Sequence, residues 1–275
     1  MTTLKAGLVQ LRTPATQAAA LAQAAPLVRQ AAAAGAQLIA TPEATNILQR
    51  DKAKLFEAVR PLGEDECVQG LRALARELGV WILIGSALVR REDGQLANRS
   101  TLLGADGDVK ATYDKIHMFD VDLPTGERHR ESSLYTPGER AAVADTPWGK
   151  IGLSVCYDVR FPHLYRALAK AGAEIVTVPA AFTRPTGEAH WEILLRARAI
   201  ETGAFVLAPA QGGFHEDGRG TWGRSTVIGP WGEILAKAED DEPQVVVAEL
   251  DLDAVTKARG AIPALVNDRA FAEPS

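Results

Sequence analysis

Three residues far apart in the chain have side chains that could form and break an acyl bond: Glu43, Lys115 and Cys156. Cys156 ends an apolar run, Ile151 to Val155, within Lys150-Ile-Gly-Leu-Ser-Val-Cys-Tyr-Asp-Val-Arg-Phe-Pro162, and a helical pattern begins a few residues later. A nucleophile on a sharp strand-to-helix turn is held out of its sheet, and the next backbone N–H, that of Tyr157, can meet an oxyanion. The same segment also suits a buried core cysteine, the commoner fate of a free thiol. Glu43 follows the run Gln37 to Thr41, and Lys115 follows Val109 to Tyr113. Strand ends line the ligand crevice in α/β sheets. Taken singly, Glu43 could be a carboxylate at a helix N-terminus and Lys115 a solvated surface charge.

The set has a specific chemistry. A free thiol titrates near pH 8.5, so little thiolate exists at neutrality. A carboxylate can take its proton, but its charge opposes the thiolate. A lysine ammonium offsets that repulsion and can stabilise the oxyanion of a tetrahedral intermediate. For Glu43 to act as the base near neutral pH, burial is expected to raise its pKa. The three groups would titrate as one coupled system.

Elements with hydrophobic periodicity must position these residues. Leu4–Gln10 reads as a strand, and Ala15–Ala34 has apolar positions at helical spacing and stops at Gly35. Strand Gln37–Thr41, helix Glu64–Leu78 and strand Val80–Ala87 repeat the alternation, which implies α/β layering. Ser100–Leu103 and Val109–Tyr113 flank a Gly-Ala-Asp-Gly hairpin signal. Asp120–Arg140 is polar, irregular and too long for a plain connector, a pattern usually associated with function. Strands Ala141–Ala144 and Ile151–Val155, helix Leu164–Ala171, strand Glu174–Val178, helix Gly187–Gly203 and strand Ala204–Ala210 follow. A second hairpin, Ser225–Ile228 with Glu233–Lys237, and strand Gln244–Leu250 complete the pattern. Hairpins among βα units predict mixed sheets.

The 275 residues are 47% hydrophobic and 24% charged, a globular composition with ample core material, read as one domain over 1–275. A formal charge of −5 argues against nucleic acid or an anionic membrane as the main partner, and no apolar run approaches the ~20 residues of a membrane span. The N-terminus lacks the apolar core of a signal peptide. The two cysteines, Cys67 and Cys156, cannot form a disulfide framework. A reducing cytoplasm is the expected location. Cys67 falls in an amphipathic helical stretch and reads as packing. The five histidines show no metal-ligand spacing, Cys-x-x-Cys is absent, and there is no GxGxxG or Walker loop. No metal and no cofactor are expected. A papain-like protease would need a partnered histidine, which nothing around His163 or His190 supports.

Glu43 in Thr-Pro-Glu-Ala, Lys115 in Tyr-Asp-Lys-Ile-His-Met-Phe-Asp and Cys156 in Ser-Val-Cys-Tyr-Asp-Val-Arg-Phe-Pro resemble the Glu–Lys–Cys triad of the nitrilase, or carbon–nitrogen hydrolase, superfamily. The resemblance covers nearly the whole chain. It implies a four-layer α-β-β-α sandwich, a thiol acyl-enzyme mechanism and no cofactor. It also implies a second glutamate after the lysine, for which Glu131 is the best match and Glu127 and Glu139 are less well aligned. The stretch Ala181 to Glu201, and Ala208-Pro-Ala-Gln-Gly-Gly-Phe-His215 with Trp222-Gly-Arg-Ser225, resemble the amidase branch of deaminated glutathione amidases and ω-amidases, leaning to the former. The expected substrate is a small amide bearing a carboxylate, with ammonia released. Alternatives are 2-oxoglutaramate, an N-carbamoyl amino acid, or a non-catalytic binding protein on the same fold. Tyr157, Arg184, Arg160 and His190 are the expected substrate-binding residues, Arg184 first for the carboxylate. Arg196, Arg198 and Glu201 sit at helix spacings and read as a structural charge network. The resemblance further implies a homodimer or higher homo-oligomer built through the helices after Cys156 and Gly187, with the tail 261–275 draped on the partner.

Overall fold

The computed structural model describes residues 2–124 and 126–272. Two six-stranded sheets face each other. The first runs in spatial order Gln244–Asp251, Thr3–Gln10, Leu38–Ala40, Trp81–Arg90, Leu96–Leu103, Val109–Asp114. The second runs Ile234–Lys237, Thr226–Ile228, Phe205–Ala208, Ala173–Thr177, Gly149–Leu153, Ala142–Thr146. In each, central parallel strands are flanked by antiparallel strands, most of them from hairpins, with Gln244–Asp251 instead pairing Thr3–Gln10 from the far end of the chain. Both sheets are mixed, as the interleaved hairpins predicted.

Period-two alternation sorts the side chains between layers. Leu4, Ala6, Leu8, Leu38, Ala40 and Leu83 point to the inter-sheet core, where they join Ile151, Leu153, Ile175 and Val206. Their neighbours Val9, Ile39, Ile82 and Ile84 face outward and are covered by helices Gln17–Ala33 and Glu66–Leu78. Helices Pro162–Lys170 and Arg184–Thr202 cover the second sheet through Leu164, Leu168, Trp191 and Leu195. The result is a four-layer α-β-β-α sandwich, as expected. Cys67 lies in the outer core beneath Glu66–Leu78 and is fully buried, as its helix position suggested.

Periodicity missed three short elements. Helix Lys52–Ala58 has a single buried residue, Leu55, so its apolar stripe is too thin to read. The stretch read as irregular contains a hairpin, Asp120–Asp122 with Arg128–Arg130. Pro124 and Gly126 mark its turn, but its strands carry almost no apolar residues. Gly212–Phe214 pairs with Gly220–Trp222 in another. Of the tail, residues 273–275 lie outside the described residues. Asp268 turns back onto Arg166 and Lys170 of its own chain.

Candidate active site

Three strand ends converge where the two sheets meet. Gly85 makes the approach possible: a Cβ there would stand 1.9 Å from the Thr41 carbonyl oxygen and 2.3 Å from Pro179 Cβ. The chain after Leu38–Ala40 therefore passes against the segment that follows Ala173–Thr177. The Cys156 N–H donates to the Pro179 carbonyl at 2.9 Å, and the Ala181 N–H donates to Glu43 Oε2 at 2.9 Å. One segment, 179–181, thus fixes both the thiol's backbone and the carboxylate.

The strand before Cys156 ends at Leu153, two residues earlier than its apolar run suggests. Cys156 itself opens a 3-10 turn, Cys156–Arg160, with φ +50°. The left-handed region is costly for a residue with a Cβ, and such strain concentrates at functional sites. The Asp158 carboxylate holds the turn by accepting from the Val155 N–H at 2.8 Å. It also accepts from Tyr113 Oη at 2.7 Å and the His117 N–H at 3.1 Å, on either side of Lys115. Ala44, next to Glu43, is a second non-glycine residue with positive φ, and its N–H donates to Ser86 Oγ at 2.9 Å.

Lys115 is 2% exposed and Glu43 7%. Lys115 Nζ donates to Glu43 Oε1 at 2.9 Å and to Glu131 Oε2 at 2.7 Å. Asn98 Nδ2 donates to the same two carboxylates, at 2.9 Å to Glu43 and 3.2 Å to Glu131. Glu131 opens a 3-10 turn after the Asp120–Arg130 hairpin, and the Phe119 N–H at the hairpin base donates to it at 2.7 Å. Cys156 lines the same cavity as Glu43, near enough for the Glu43 and Lys115 charges to act on its thiol. The structure thus gathers Glu43, Lys115, Glu131 and Cys156 around one point. Glu127 also lines the cavity, beside His129 at 3.5 Å. Asn98 and Asp158 carried no sequence signal, because each acts on partners remote in the chain.

The electrostatics correct one expectation. Burial does push the Glu43 carboxyl upward, but the Lys115 charge and bonds from Lys115 and Asn98 outweigh it, so Glu43 lies below its ordinary value. Burial and the Glu43 charge hold the Cys156 thiol well above its ordinary value, against the pull of Lys115. Burial disfavours the Lys115 ammonium, yet Glu131 and Glu43 together raise it well above its ordinary value. The resting site is thiol, carboxylate and ammonium, a set in which the thiol proton has a base to go to.

These groups sit at the floor of a cavity of about 700 Å³. Tyr157 and Arg184 line it; Arg160 and His190 do not. Arg160 stacks against the Tyr157 and Phe182 rings, its centre 5.8 and 5.4 Å from their centroids. Its Nη1 lies 3.2 Å from Nδ1 of the exposed His190. Arg184 is the first residue of its helix rather than part of the preceding loop, and its guanidinium pairs with Asp241 at 2.5 Å. Arg198 does pair with Glu201, and its Nε donates to the Val159 carbonyl in the Cys156 turn at 2.9 Å. Arg196 instead donates to the Gly232 carbonyl. Trp191 is buried packing, its Nε1 bonded to the Arg224 carbonyl. Among the described residues no group of His, Cys, Asp and Glu is placed to hold a metal, and no helix is long and apolar enough to cross a membrane.

The layered fold with its crevice at the strand ends is that of an α-β-β-α hydrolase. Residues 5–260 match the carbon-nitrogen hydrolase family, and the chain belongs to it. It is 44% identical to a deaminated glutathione amidase of Yersinia enterocolitica, over 86% of this chain and 82% of that protein. It is 35% identical to the human omega-amidase NIT2, over 96% of this chain and 94% of that one. Among solved structures, the C. elegans NitFhit protein superposes with a TM-score of 0.91 at 32% identity, over 98% of this chain and 66% of the longer NitFhit chain.

Proposed function

We propose that this carbon–nitrogen hydrolase cleaves small carboxylate-bearing amides through a thioester on Cys156. The observation that carries the reading is the buried Glu43–Lys115–Glu131 cluster lining one cavity with the thiol. Glu43 takes the proton as Sγ attacks the carbonyl carbon. The oxyanion is met by the Lys115 ammonium and the Tyr157 N–H. Glu43 passes the proton to the departing nitrogen, and the C–N bond breaks. Water then gives a proton to Glu43 and attacks the thioester, and Cys156 leaves and is reprotonated. Glu131 keeps Lys115 charged and aimed.

Deaminated glutathione is the favoured substrate, after the relatives of that name. In such a secondary amide the leaving group is an amine, not the ammonia expected above. The omega-amidase likeness, which spans nearly both chains, makes 2-oxoglutaramate the second reading. Arg184, aimed by Asp241 at the cavity wall, is the candidate for the acyl carboxylate. A panel of deaminated glutathione, 2-oxoglutaramate, N-carbamoyl amino acids and nitriles, read by acid and amine release, tests the activity. No turnover on either of the first two overturns the reading. Arg184→Ala should raise KM more for an acidic amide than for its neutral analogue, and an equal loss would make Arg184 structural.

Self-association through helices Pro162–Lys170 and Arg184–Thr202 accompanies this reading. Ile193 and Ile200 stand 70% and 54% exposed on the second helix, a large apolar surface for a solvated face. Light scattering at micromolar concentration should show a dimer or larger; a monomer overturns it.

A further inference from the structure

The peptide between Glu43 and Ala44 is gripped at both ends by side chains. Its carbonyl, that of Glu43, accepts from Gln211 Nε2 at 2.9 Å, and its N–H, that of Ala44, donates to Ser86 Oγ at 2.9 Å. Gln211 and Ser86 are both fully buried. The grip falls where the chain resists it. Ala44 has φ +56°, in the left-handed region that a Cβ disfavours. Such a dihedral persists only where its surroundings over-determine it. The tilt of this peptide sets the direction in which the Glu43 side chain leaves the main chain.

Gln211 comes from the opposite sheet. It follows strand Phe205–Ala208 and reaches across to the ends of Thr3–Gln10 and Leu38–Ala40. Its Oε1 accepts from the Thr13 N–H at 3.0 Å, and its Nε2 donates to Thr13 Oγ1 at 2.6 Å as well as to Glu43. A donor faces one end of the amide and two acceptors face the other, so its orientation is fixed. The Gln211 N–H donates to the Ala180 carbonyl at 2.8 Å. The N–H at the other end of that peptide, that of Ala181, donates to Glu43 Oε2 at 2.9 Å. A peptide is planar, so holding its carbonyl aims its N–H. Gln211 therefore grips Glu43 twice, at the main chain directly and at the carboxylate through one rigid peptide.

Resting on the assignment of Glu43 as the base, we propose that Gln211, with Ser86, is a positioning residue of the reaction. It holds the Glu43–Ala44 peptide at the angle that keeps the carboxylate on Lys115, Asn98 and the Ala181 N–H. Thr13 has a different part. It shares the Gln211 amide, but among the described residues none of its hydrogen bonds reaches Glu43, Lys115, Asn98 or Glu131. Burial pushes the Glu43 carboxyl up at any angle, whereas the Lys115 and Asn98 bonds that pull it down depend on the angle. A loosened base should titrate higher.

The test compares Gln211→Met, Ser86→Ala and Thr13→Val. The substrates are deaminated glutathione and 2-oxoglutaramate, and iodoacetamide reports on Cys156 without turnover. All three variants leave a buried partner unmatched and should lower the urea midpoint. Only Gln211→Met and Ser86→Ala should move the acid limb of kcat/KM, and of Cys156 alkylation, to higher pH. Gln211→Met should also lower kcat by about 10²-fold. KM should change little, because neither residue lines the cavity. Thr13→Val should keep the wild-type kcat and limb. A wild-type limb and kcat in Gln211→Met overturns the proposal, as does an equal kinetic change in Thr13→Val. If Gln211→Met does not fold, a wild-type limb in Ser86→Ala overturns it instead. Wild-type turnover of neither amide strikes the amidase reading, and the alkylation profiles still decide the role of Gln211.

Discussion

Tyr113 Oη donates to Asp158 Oδ2 at 2.7 Å, tying the end of the strand that presents Lys115 to the turn that presents Cys156. Both residues are buried, and the same carboxylate receives the Val155 and His117 N–H groups. The relative position of ammonium and thiol therefore depends on one carboxylate that touches neither. Asp158→Asn keeps the shape but turns an amide N–H₂ toward donors. Leaving buried donors unmatched costs about 1–3 kcal/mol each. The expected result is a fall in unfolding free energy of about 2–3 kcal/mol by urea titration and a lower kcat. Wild-type stability together with wild-type turnover would show that the clamp is dispensable.

Cys156 should be the reactive thiol. It lines the cavity beside a base, whereas Cys67 is sealed in the outer core and burial raises its pKa strongly. Iodoacetamide followed by peptide mapping should modify Cys156 well before Cys67. Cys156→Ala should abolish hydrolysis without unfolding, and Cys67→Ala should retain it. Activity in Cys156→Ala would sink the thioester mechanism.

The pH profile follows from the direction of the shifts. The reactive set needs Glu43 ionised and the thiol still holding its proton. Glu43 lies below the ordinary carboxylate range and Cys156 well above its own. kcat/KM should therefore be flat through neutrality, with its acid limb displaced below the ordinary carboxylate range. Lys115 supplies the largest downward pull on Glu43. Lys115→Gln should move the acid limb up toward neutrality and cost about 10²–10³ in kcat. Glu43→Gln should be at least as damaging. A wild-type limb between pH 6 and 8 would mean that burial, not Lys115, governs Glu43.

His215 should make stability pH-dependent. Burial holds its imidazole down to about 4, against the Thr13 carbonyl bond that favours protonation. The unfolded chain binds this proton near pH 6.5. Between the two values the unfolded state holds more protons, so stability is full above pH 6.5 and is lost as pH falls toward 4. The loss is about 3 kcal/mol. His215→Gln should flatten urea-derived stability between pH 6.5 and 4.5. Parallel slopes in variant and wild type would assign the effect elsewhere.

Much of this protein is written locally. The alternation in Leu4–Gln10 and the helical spacing in Glu66–Leu78 each name a face to bury, and together they specify α/β layers. The strand-to-turn pattern at Cys156 is legible because the strain at one residue and the helix that follows are sequence neighbours. Other features depend on sums over residues that only folding brings together. The sign of the Glu43 shift is one, since burial and a lysine 72 positions away pull in opposite directions. The roles of Asn98 and Asp158 are another, because a hydrogen bond between remote segments leaves no periodicity. Arg160 and Arg184 show the same limit: both are cations near the cysteine or its following loop, yet only Arg184 lines the cavity. Backbone propensity and burial pattern act over a few residues, so the sequence alone determined the elements and their layers. Electrostatic balance and orientation act through space, so only the tertiary structure decided the charge state of the site and which cations face it.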